Sequence, residues 1–162
     1  MVTLKIEEKS KIEAIIKSCH TCSVGMIDTQ GQPYVVPMNF GYEDGVVYLH
    51  SAPEGESIRS LEMNPNVCIT FCGETNLAYQ DKEVACSYRM KGLSAMCRGK
   101  VLFIEDIDEK IKALNILMKN YTDKPFQYSD PAVRNVKIWR VDVESMTGKE
   151  FGAPNPKSVR SR

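Results

Sequence analysis

Residues 31–61 read GQPYVVPMNFGYEDGVVYLHSAPEGESIRSL and decide the fold of this chain. Strand-forming residues fill 34–40 and 46–49, and an Asp-Gly turn signal separates the two runs. His50 ends the second run, and the small residues of 51–57 lead into a helix. Backbone N–H groups at a helix start bind anions, typically phosphate. The stretch therefore predicts a strand hairpin that feeds a phosphate-binding loop, as suits a phosphorylated cofactor lying across a sheet.

Hydrophobic spacing elsewhere predicts more strands and two further helices. Isoleucines recur at helical spacing within 6–18, and an acidic start at Asp106 precedes an apolar stripe that reaches Tyr121. Residues 74–82 are interpreted as a polar connection. Six or seven strands with about three helices indicate a closed antiparallel barrel with helices outside it, although the pattern also allows an open α+β sheet. The other predicted strands are 22–28, 67–72, 84–90, 93–104 and 136–146.

The size and charge of the chain exclude several classes of protein. Its 162 residues fit one domain, and its 21 basic and 21 acidic residues give no basic patch for nucleic acid. The sequence shows neither a signal peptide nor an apolar run long enough for a membrane helix. We therefore expect a cytoplasmic protein. Residues 1–150 are predicted to form the domain, and 151–162, rich in glycine and proline, a flexible C-terminal tail.

The chain contains one CxxC motif, Cys19-His20-Thr21-Cys22. A redox CxxC is expected to follow a strand and open a helix, whereas this one closes a helix and enters a strand. No second CxxC is available to complete a structural zinc site. We therefore predict inert thiols, no metal site, and cysteines that are dispensable for cofactor binding.

Several segments, taken in order, resemble one known family. They are 33–42, 47–50, 55–61, the run YRMKGLSAMCRG at 88–99, and 138–149. Their order and spacing are similar to those of the flavin-binding split-barrel superfamily, that of pyridoxamine 5'-phosphate oxidase, and most similar to its nitroimidazole-resistance (Nim) proteins. The resemblance covers roughly residues 8–149. It implies a mainly β (α+β) fold, a split antiparallel β-barrel with about three peripheral helices, and a homodimer that binds FMN, with FAD as the alternative.

The resemblance also implies roles for particular residues. His50 would face the flavin as the reactive group, although a histidine at a strand end is also commonly satisfied by nearby backbone. Many relatives carry Lys or Arg near position 57, and its absence here implies either a weaker anion site or a charge shifted to Arg59 or Arg89. Trp139 would lie near the cofactor, or would simply fill the barrel. The remaining expected cofactor contacts are Pro37, Met38 and Asn39 beside the ring; Ser51, Ala52, Gly55, Ser57 and Ile58 around the phosphate; and Tyr88, Ser94 and Ala95, where Ser94 and Ala95 match a pair that commonly contacts flavin across a dimer interface.

The function implied by the resemblance is that of an oxidoreductase. Electrons would pass from a reduced nicotinamide donor through the flavin to a small acceptor, with nitro-aromatic compounds as one candidate class. The chain has no GxGxxG motif, so the donor would bind only transiently. The alternative is a non-catalytic protein that binds flavin, haem or a deazaflavin. Pyridoxamine 5'-phosphate oxidase itself is disfavoured because the segment GAPNPKSVRSR at 152–162 does not resemble its Arg-rich substrate segment.

Overall fold

The computed structural model describes residues 2–153. Its helices are α1 (Lys9–Lys17), α2 (Glu56–Met63), α3 (Ile107–Lys119) and the short α4 (Asp130–Arg134), and a 3-10 turn covers Ala85–Ser87. Its strands are β1 (Val2–Ile6), β2 (Thr21–Ile27), β3 (Pro33–Glu43), β4 (Val46–Ser51), β5 (Asn66–Ala78), β6 (Arg89–Ile104) and β7 (Lys137–Ala153).

The strands form one seven-stranded sheet in the order β1-β7-β4-β3-β2-β5-β6. β6 also pairs with β7, so the order closes on itself. Five strand pairs are antiparallel: β1 with β7, β2 with β3, β2 with β5, β3 with β4, and β4 with β7. The predicted fold class is confirmed: the protein is mainly β (α+β), a split antiparallel barrel with three helices of seven or more residues.

The described residues divide into two compact units whose segments alternate along the chain. The first unit comprises 2–19, 71–96 and 146–153, and the second comprises 20–70 and 97–145. Each unit is described by itself below. Among residues 2–153, no helix combines the length and the apolar character that crossing a membrane requires.

Several strands are longer than the hydrophobic pattern predicts. Residues 2–6 form a strand, β1, that was not predicted, and the helix predicted over 6–18 begins only at Lys9. The β1 sequence VTLKI does alternate between apolar and polar residues, but five residues at a chain end are a short signal. Residues 74–78 continue β5 rather than forming a polar connection, and they are largely exposed, so they show no alternation that reveals a strand. β7 likewise runs to Ala153, which pairs with Val2, so the first three residues of the expected tail belong to a strand. Residues 154–162 lie outside the described residues.

β6 is one continuous strand, not two strands joined at Lys91-Gly92. The glycine that suggested a turn is required by packing. A Cβ atom at Gly92 would lie 2.5 Å from Cζ of Phe151 and 3.0 Å from Cγ2 of Thr75. Gly92 therefore lets a phenyl ring lie against the strand, which a single sequence does not reveal.

Helix α3 packs directly on β3. Its start was predicted correctly: the carboxylate of Asp106 accepts a hydrogen bond from the backbone N–H of Glu109 at 3.0 Å. Gly41 allows the close approach, because a Cβ atom there would lie 2.7 Å from the backbone nitrogen of Leu117. The buried Lys110 side chain donates a hydrogen bond to the carbonyl oxygen of Val136 at 2.8 Å. This contact ties α3 to the chain just before β7.

Candidate functional site

The two faces of β3 differ in burial. Pro37 and Asn39 are exposed, whereas Met38 between them is half-buried and pairs with the buried Cys22 of β2. Successive side chains of a strand point to opposite faces. Of the three expected ring contacts, Pro37 and Asn39 therefore share the outer face. The half-buried side chain of Met38 points to the inner face.

One edge of β3 has no strand partner over part of its length. β2 pairs with Pro33–Asn39, but β4 pairs with β3 only from Phe40 to Glu43. Within the part of the chain that the structure describes, no strand pairs with residues 33–39 on the β4 side. Prolines, which lack an N–H, are found on such edges, and Pro37 fits this rule.

Tyr121 shows which backbone groups face this open edge. Its hydroxyl donates to the carbonyl oxygen of His20 at 2.7 Å and accepts from the backbone N–H of Phe40 at 3.2 Å. The backbone groups of Phe40 therefore face the β2 edge. Because these groups alternate between edges along a strand, those of Pro37 and Asn39 face the open edge. The edge thus presents two carbonyl oxygens and the N–H of Asn39.

His50 lies on the same face as the exposed side chain of Asn39. Phe40 pairs with Leu49, so the residues on either side of this pair, Asn39 and His50, both point to the opposite face. His50 is exposed and pairs with Ile138, which belongs to the core cluster beneath α3. Desolvation lowers the pKa of His50. The imidazole is therefore mostly neutral at neutral pH, when it both donates and accepts hydrogen bonds.

The loop after β4 leads into α2 with an unusual backbone. Gly55, the residue before the helix, has φ of 140°, a region that L side chains rarely adopt, and it supplies no side-chain cap. The first backbone N–H groups of α2 therefore remain available to an acceptor. Ile58 is buried, so it offers this position only its backbone, whereas Ser57 is half-buried and Ala52 is exposed.

Arg59 does not bring net positive charge to the start of α2. Its guanidinium donates to the carboxylate of Glu56 at 2.7 Å, and that carboxylate also accepts from the hydroxyl of Thr29 at 3.0 Å. The hydrogen bond from Arg59, followed by that from Thr29, lowers the pKa of Glu56, which is therefore ionised and paired. Glu56 and Arg59 neutralise each other, and an anion here depends on backbone N–H groups and the Ser57 hydroxyl.

Trp139 is fully buried and hydrogen-bonds to Ser51 at the start of the loop. Its indole N–H donates to the Ser51 hydroxyl at 3.1 Å, and that hydroxyl donates to the carbonyl oxygen of Ala52 at 2.8 Å. The Phe103 ring meets the indole edge-on, with centroids 6.4 Å apart. This placement matches the alternative in which the tryptophan fills the barrel, and any influence on a cofactor would pass through Ser51.

The other expected contacts lie in the first unit. Tyr88 stacks on Tyr79 with ring centroids 4.9 Å apart, and its hydroxyl donates to the carbonyl oxygen of Lys82 at 3.0 Å. Ala95 is buried and belongs to the core, whereas Ser94 is half-buried. Cofactor contacts by Tyr88, Ser94 and Ala95 stay predictions.

Arg89, also in the first unit, carries an unusual polar atom. Its Nε is buried and, among the described residues, has no hydrogen-bond partner. A buried donor without an acceptor is costly and calls for an explanation, such as a ligand or a partner chain. The charge that the resemblance expects of Arg59 or Arg89 is thus neutralised at Arg59, and a role for Arg89 stays a prediction.

The CxxC motif lies where the sequence placed it, between α1 and β2, and both cysteines are buried. Burial is the main cause that raises the pKa of Cys19, which makes its thiolate scarce. Within residues 2–153, no three His, Cys, Asp or Glu side chains come together as a metal site.

Sequence reasoning missed two residues that position the site. The sequence pattern places Tyr121 in the apolar stripe of α3, but its hydroxyl joins Phe40 of β3 to His20, the residue before β2. Asn120 beside it donates to the carbonyl oxygen of Phe40 at 3.2 Å. These contacts join residues about eighty positions apart, so no local pattern predicts them. The only signal was a polar-tipped aromatic at the end of the stripe.

Comparisons with known proteins bear on the family and the fold. The sequence model of the family described as pyridoxamine 5'-phosphate oxidase matches residues 8–150. Comparison with curated proteins found no significant match. A crystal structure of a candidate 5-nitroimidazole antibiotic resistance protein from Bacteroides thetaiotaomicron shares 57% identity, with a TM-score of 0.85 over 92% of this chain and 87% of that one.

Two more distant structures share the fold alone. An FAD- and haem-binding protein from Mycobacterium smegmatis is 13% identical, with a TM-score of 0.80 over 93% of this chain and 75% of its own. An FAD-binding protein from Mesorhizobium loti is 22% identical, with a TM-score of 0.66 over 94% of this chain and all of its own. The fold is thus one in which flavin- and haem-binding proteins occur. From the family match over 8–150 and the split barrel, the chain belongs to the pyridoxamine 5'-phosphate oxidase-like family.

Proposed function

We propose that this protein binds FMN, with FAD as the alternative, and acts as an oxidoreductase. Electrons would pass from a reduced nicotinamide donor to a small acceptor, for which nitro-aromatic compounds are one candidate class. The observation that carries the proposal is the open edge of β3 beside His50. The 57% identity to a candidate 5-nitroimidazole resistance protein supports the acceptor class.

The exposed groups match the chemistry of a flavin. The imide edge of the ring has an N–H between two carbonyl oxygens, and the open edge of β3 offers the complementary carbonyls of Pro37 and Asn39 and the N–H of Asn39. The uncapped start of α2 suits a phosphate. The side chains of Tyr88 and Ser94 are candidates for further contacts, with the backbone of Ala95.

His50 would hold or deliver a proton at the acceptor. Bound flavin would supply the electron-transfer chemistry, which no side chain can provide. A positioned imidazole contributes typically ~10²–10⁴-fold through acid–base catalysis. His50 is exposed at a strand end, so it can meet a small molecule without opening the core.

We also propose that the protein is a cytoplasmic homodimer. Three large apolar side chains of the second unit are strongly exposed: Val35 at 62%, Met63 at 70% and Leu102 at 56%. Val35 shares the outer face of β3 with Pro37, so a second copy covering this face would also shield a bound ring. Large exposed apolar patches mark interaction surfaces. Six cysteines suit a reducing compartment.

The test is flavin occupancy in the purified protein and in matched variants. A flavin spectrum is expected, whereas a Soret band would favour the alternative haem-binding protein. Ser57→Glu would place a carboxylate against the phosphate and is expected to empty the site. Ser129→Glu, the same change before the short helix α4, is the control and should retain flavin. Full occupancy in Ser57→Glu would refute the assignment of the phosphate to α2.

A further inference from the structure

A chain of two hydrogen bonds links the barrel core to the loop before α2. The indole N–H of Trp139 donates to the Ser51 hydroxyl at 3.1 Å, and this hydroxyl donates to the carbonyl oxygen of Ala52 at 2.8 Å. Trp139 has no exposed surface, and its ring is held edge-on by Phe103. The donor at the head of this chain is therefore fixed in position.

These bonds limit what the Ser51 hydroxyl can do. A hydroxyl has one proton to donate and two lone pairs that accept. The proton is used on Ala52 and one lone pair on Trp139. A phosphate oxygen accepts hydrogen bonds, so Ser51 has no proton left for it while the chain of bonds is intact. Ser51 is thus poorly suited to the role of direct phosphate ligand that the resemblance implies.

The loop beyond Ser51 is stiff and transmits this restraint. Pro53 has its own φ fixed near −65° and keeps Ala52 out of the helical region. With the Ala52 carbonyl anchored as well, the main freedom before the helix lies at Glu54 and Gly55. The direction of the first N–H groups of α2 therefore depends on where Ala52 is held.

We propose that Trp139 and Ser51 are a positioning pair that aims the N–H groups at the start of α2 toward the phosphate of the bound flavin. The inference rests on the proposed function and adds to it a role for two residues that do not touch the phosphate. It separates affinity for the phosphate from affinity for the ring. The ring is bound by β3, which this chain of bonds does not include.

The experiment compares the dissociation constants of FMN and riboflavin, which differ only in the phosphate. Ser51→Ala removes both hydrogen bonds of this chain. We expect FMN to bind roughly three- to tenfold more weakly, which corresponds to the free energy of about one hydrogen bond. Riboflavin should bind as it does to the wild type. Ser51→Thr keeps the hydroxyl and should restore FMN binding. If Trp139→Phe folds, it should also bind FMN more weakly and riboflavin normally. If it does not fold, the result for Ser51→Ala alone tests the inference.

Phe103→Leu is the control for damage to packing. It removes an edge-on ring contact but leaves the fully buried indole with its hydrogen bond to Ser51, so any loss of binding should fall equally on the two ligands. An equal loss of FMN and riboflavin binding in Ser51→Ala would show a structural role only and overturn the inference, as would unchanged FMN binding. If the wild type binds neither ligand, the proposed function itself fails. If it binds both equally, the inference fails while flavin binding stands.

Discussion

Replacing Gly41 by alanine should push α3 away from β3 and so weaken the contacts that hold the candidate site in place. Gly41 is a buried residue of β3 against which the backbone of α3 packs. A Cβ atom would lie 2.7 Å from the nitrogen of Leu117 and 2.8 Å from the carbonyl carbon and oxygen of Ile116. All three are backbone atoms, so no side-chain rotation relieves the overlap.

The size of the effect follows from these distances. Ordinary contact for a Cβ atom begins at 3.4 Å, so α3 must move away by about 0.7 Å. The two bonds that Tyr121 and Asn120 make to Phe40 are 3.2 Å long, and such a shift in their direction takes both beyond hydrogen-bond length. Overpacking costs about 1–3 kcal/mol and each of the two lost bonds about 1 kcal/mol, so roughly 3–5 kcal/mol is expected in all.

Thermal and urea unfolding measure the change. For a chain of this size, about 2–4 °C of Tm is lost per kcal/mol, so Tm should fall by roughly 6–20 °C. FMN should also bind more weakly, because Phe40 holds the register of the β3 edge. Gly25→Ala is the control, since its Cβ would lie at ordinary contact distances, 3.4 Å from the Cys68 carbonyl oxygen and 3.9 Å from Cγ2 of Val35. A Gly41→Ala protein as stable as Gly25→Ala would refute this account of how α3 packs.

Three other predictions concern His50, Cys97 and Leu102. His50→Ala should retain flavin yet lose about 10²–10⁴-fold in turnover. If His50→Ala lost its flavin while Ser57→Glu kept full flavin occupancy, the roles assigned to these two residues would be reversed. Because desolvation lowers the pKa of His50, proton-dependent turnover should decline as pH rises through a value below 6.5, a dependence that His50→Ala should abolish. Because the pKa of His50 is lower in the folded protein, the unfolded chain binds the proton at a higher pH than the native one. The free energy of unfolding should therefore decrease as the pH is lowered from 6.5, and it should decrease less in His50→Gln. Burial raises the pKa of the Cys97 thiol from 9.0 to about 12, so between these two pH values the thiol is ionised in the unfolded chain but not in the native one. The free energy of unfolding should therefore fall as the pH rises from 9.0 to about 12, by up to ~1.4 kcal/mol per pH unit. Urea unfolding of Cys97→Ala should show a shallower alkaline slope, and an identical slope would contradict the burial of the thiol. In sedimentation, Leu102→Glu should shift the protein from dimer to monomer, whereas the control Lys100→Glu, on the same exposed face of β6, should leave it a dimer. A wild-type protein that sediments as a monomer and still carries flavin would refute the proposed dimer.

The hairpin and the helices with clear signals were predictable because their information is local. The turn at Gly45, the start of α2 and the Asp106 cap each depend on residues within a few positions of one another. The strand features that were missed have weak or misleading local signals. β1 alternates between apolar and polar residues over only five positions, and the end of β5 is largely exposed and shows no period of two. Gly92 resembles a turn residue, and only its contact with Phe151 explains why the strand needs a glycine there.

The candidate site divides along the same line. The groups with chemistry to offer, His50 and the backbone of 37–39, come from one hairpin and could be proposed from the sequence. The groups that position them come from far away, since Tyr121 lies 81 residues from Phe40 and Trp139 lies 88 from Ser51. A substitution in the hairpin should therefore change what the site can do. A substitution at Tyr121 or Trp139 should instead change how tightly and in what orientation a ligand is held, which is why binding constants and turnover need to be measured separately in each variant.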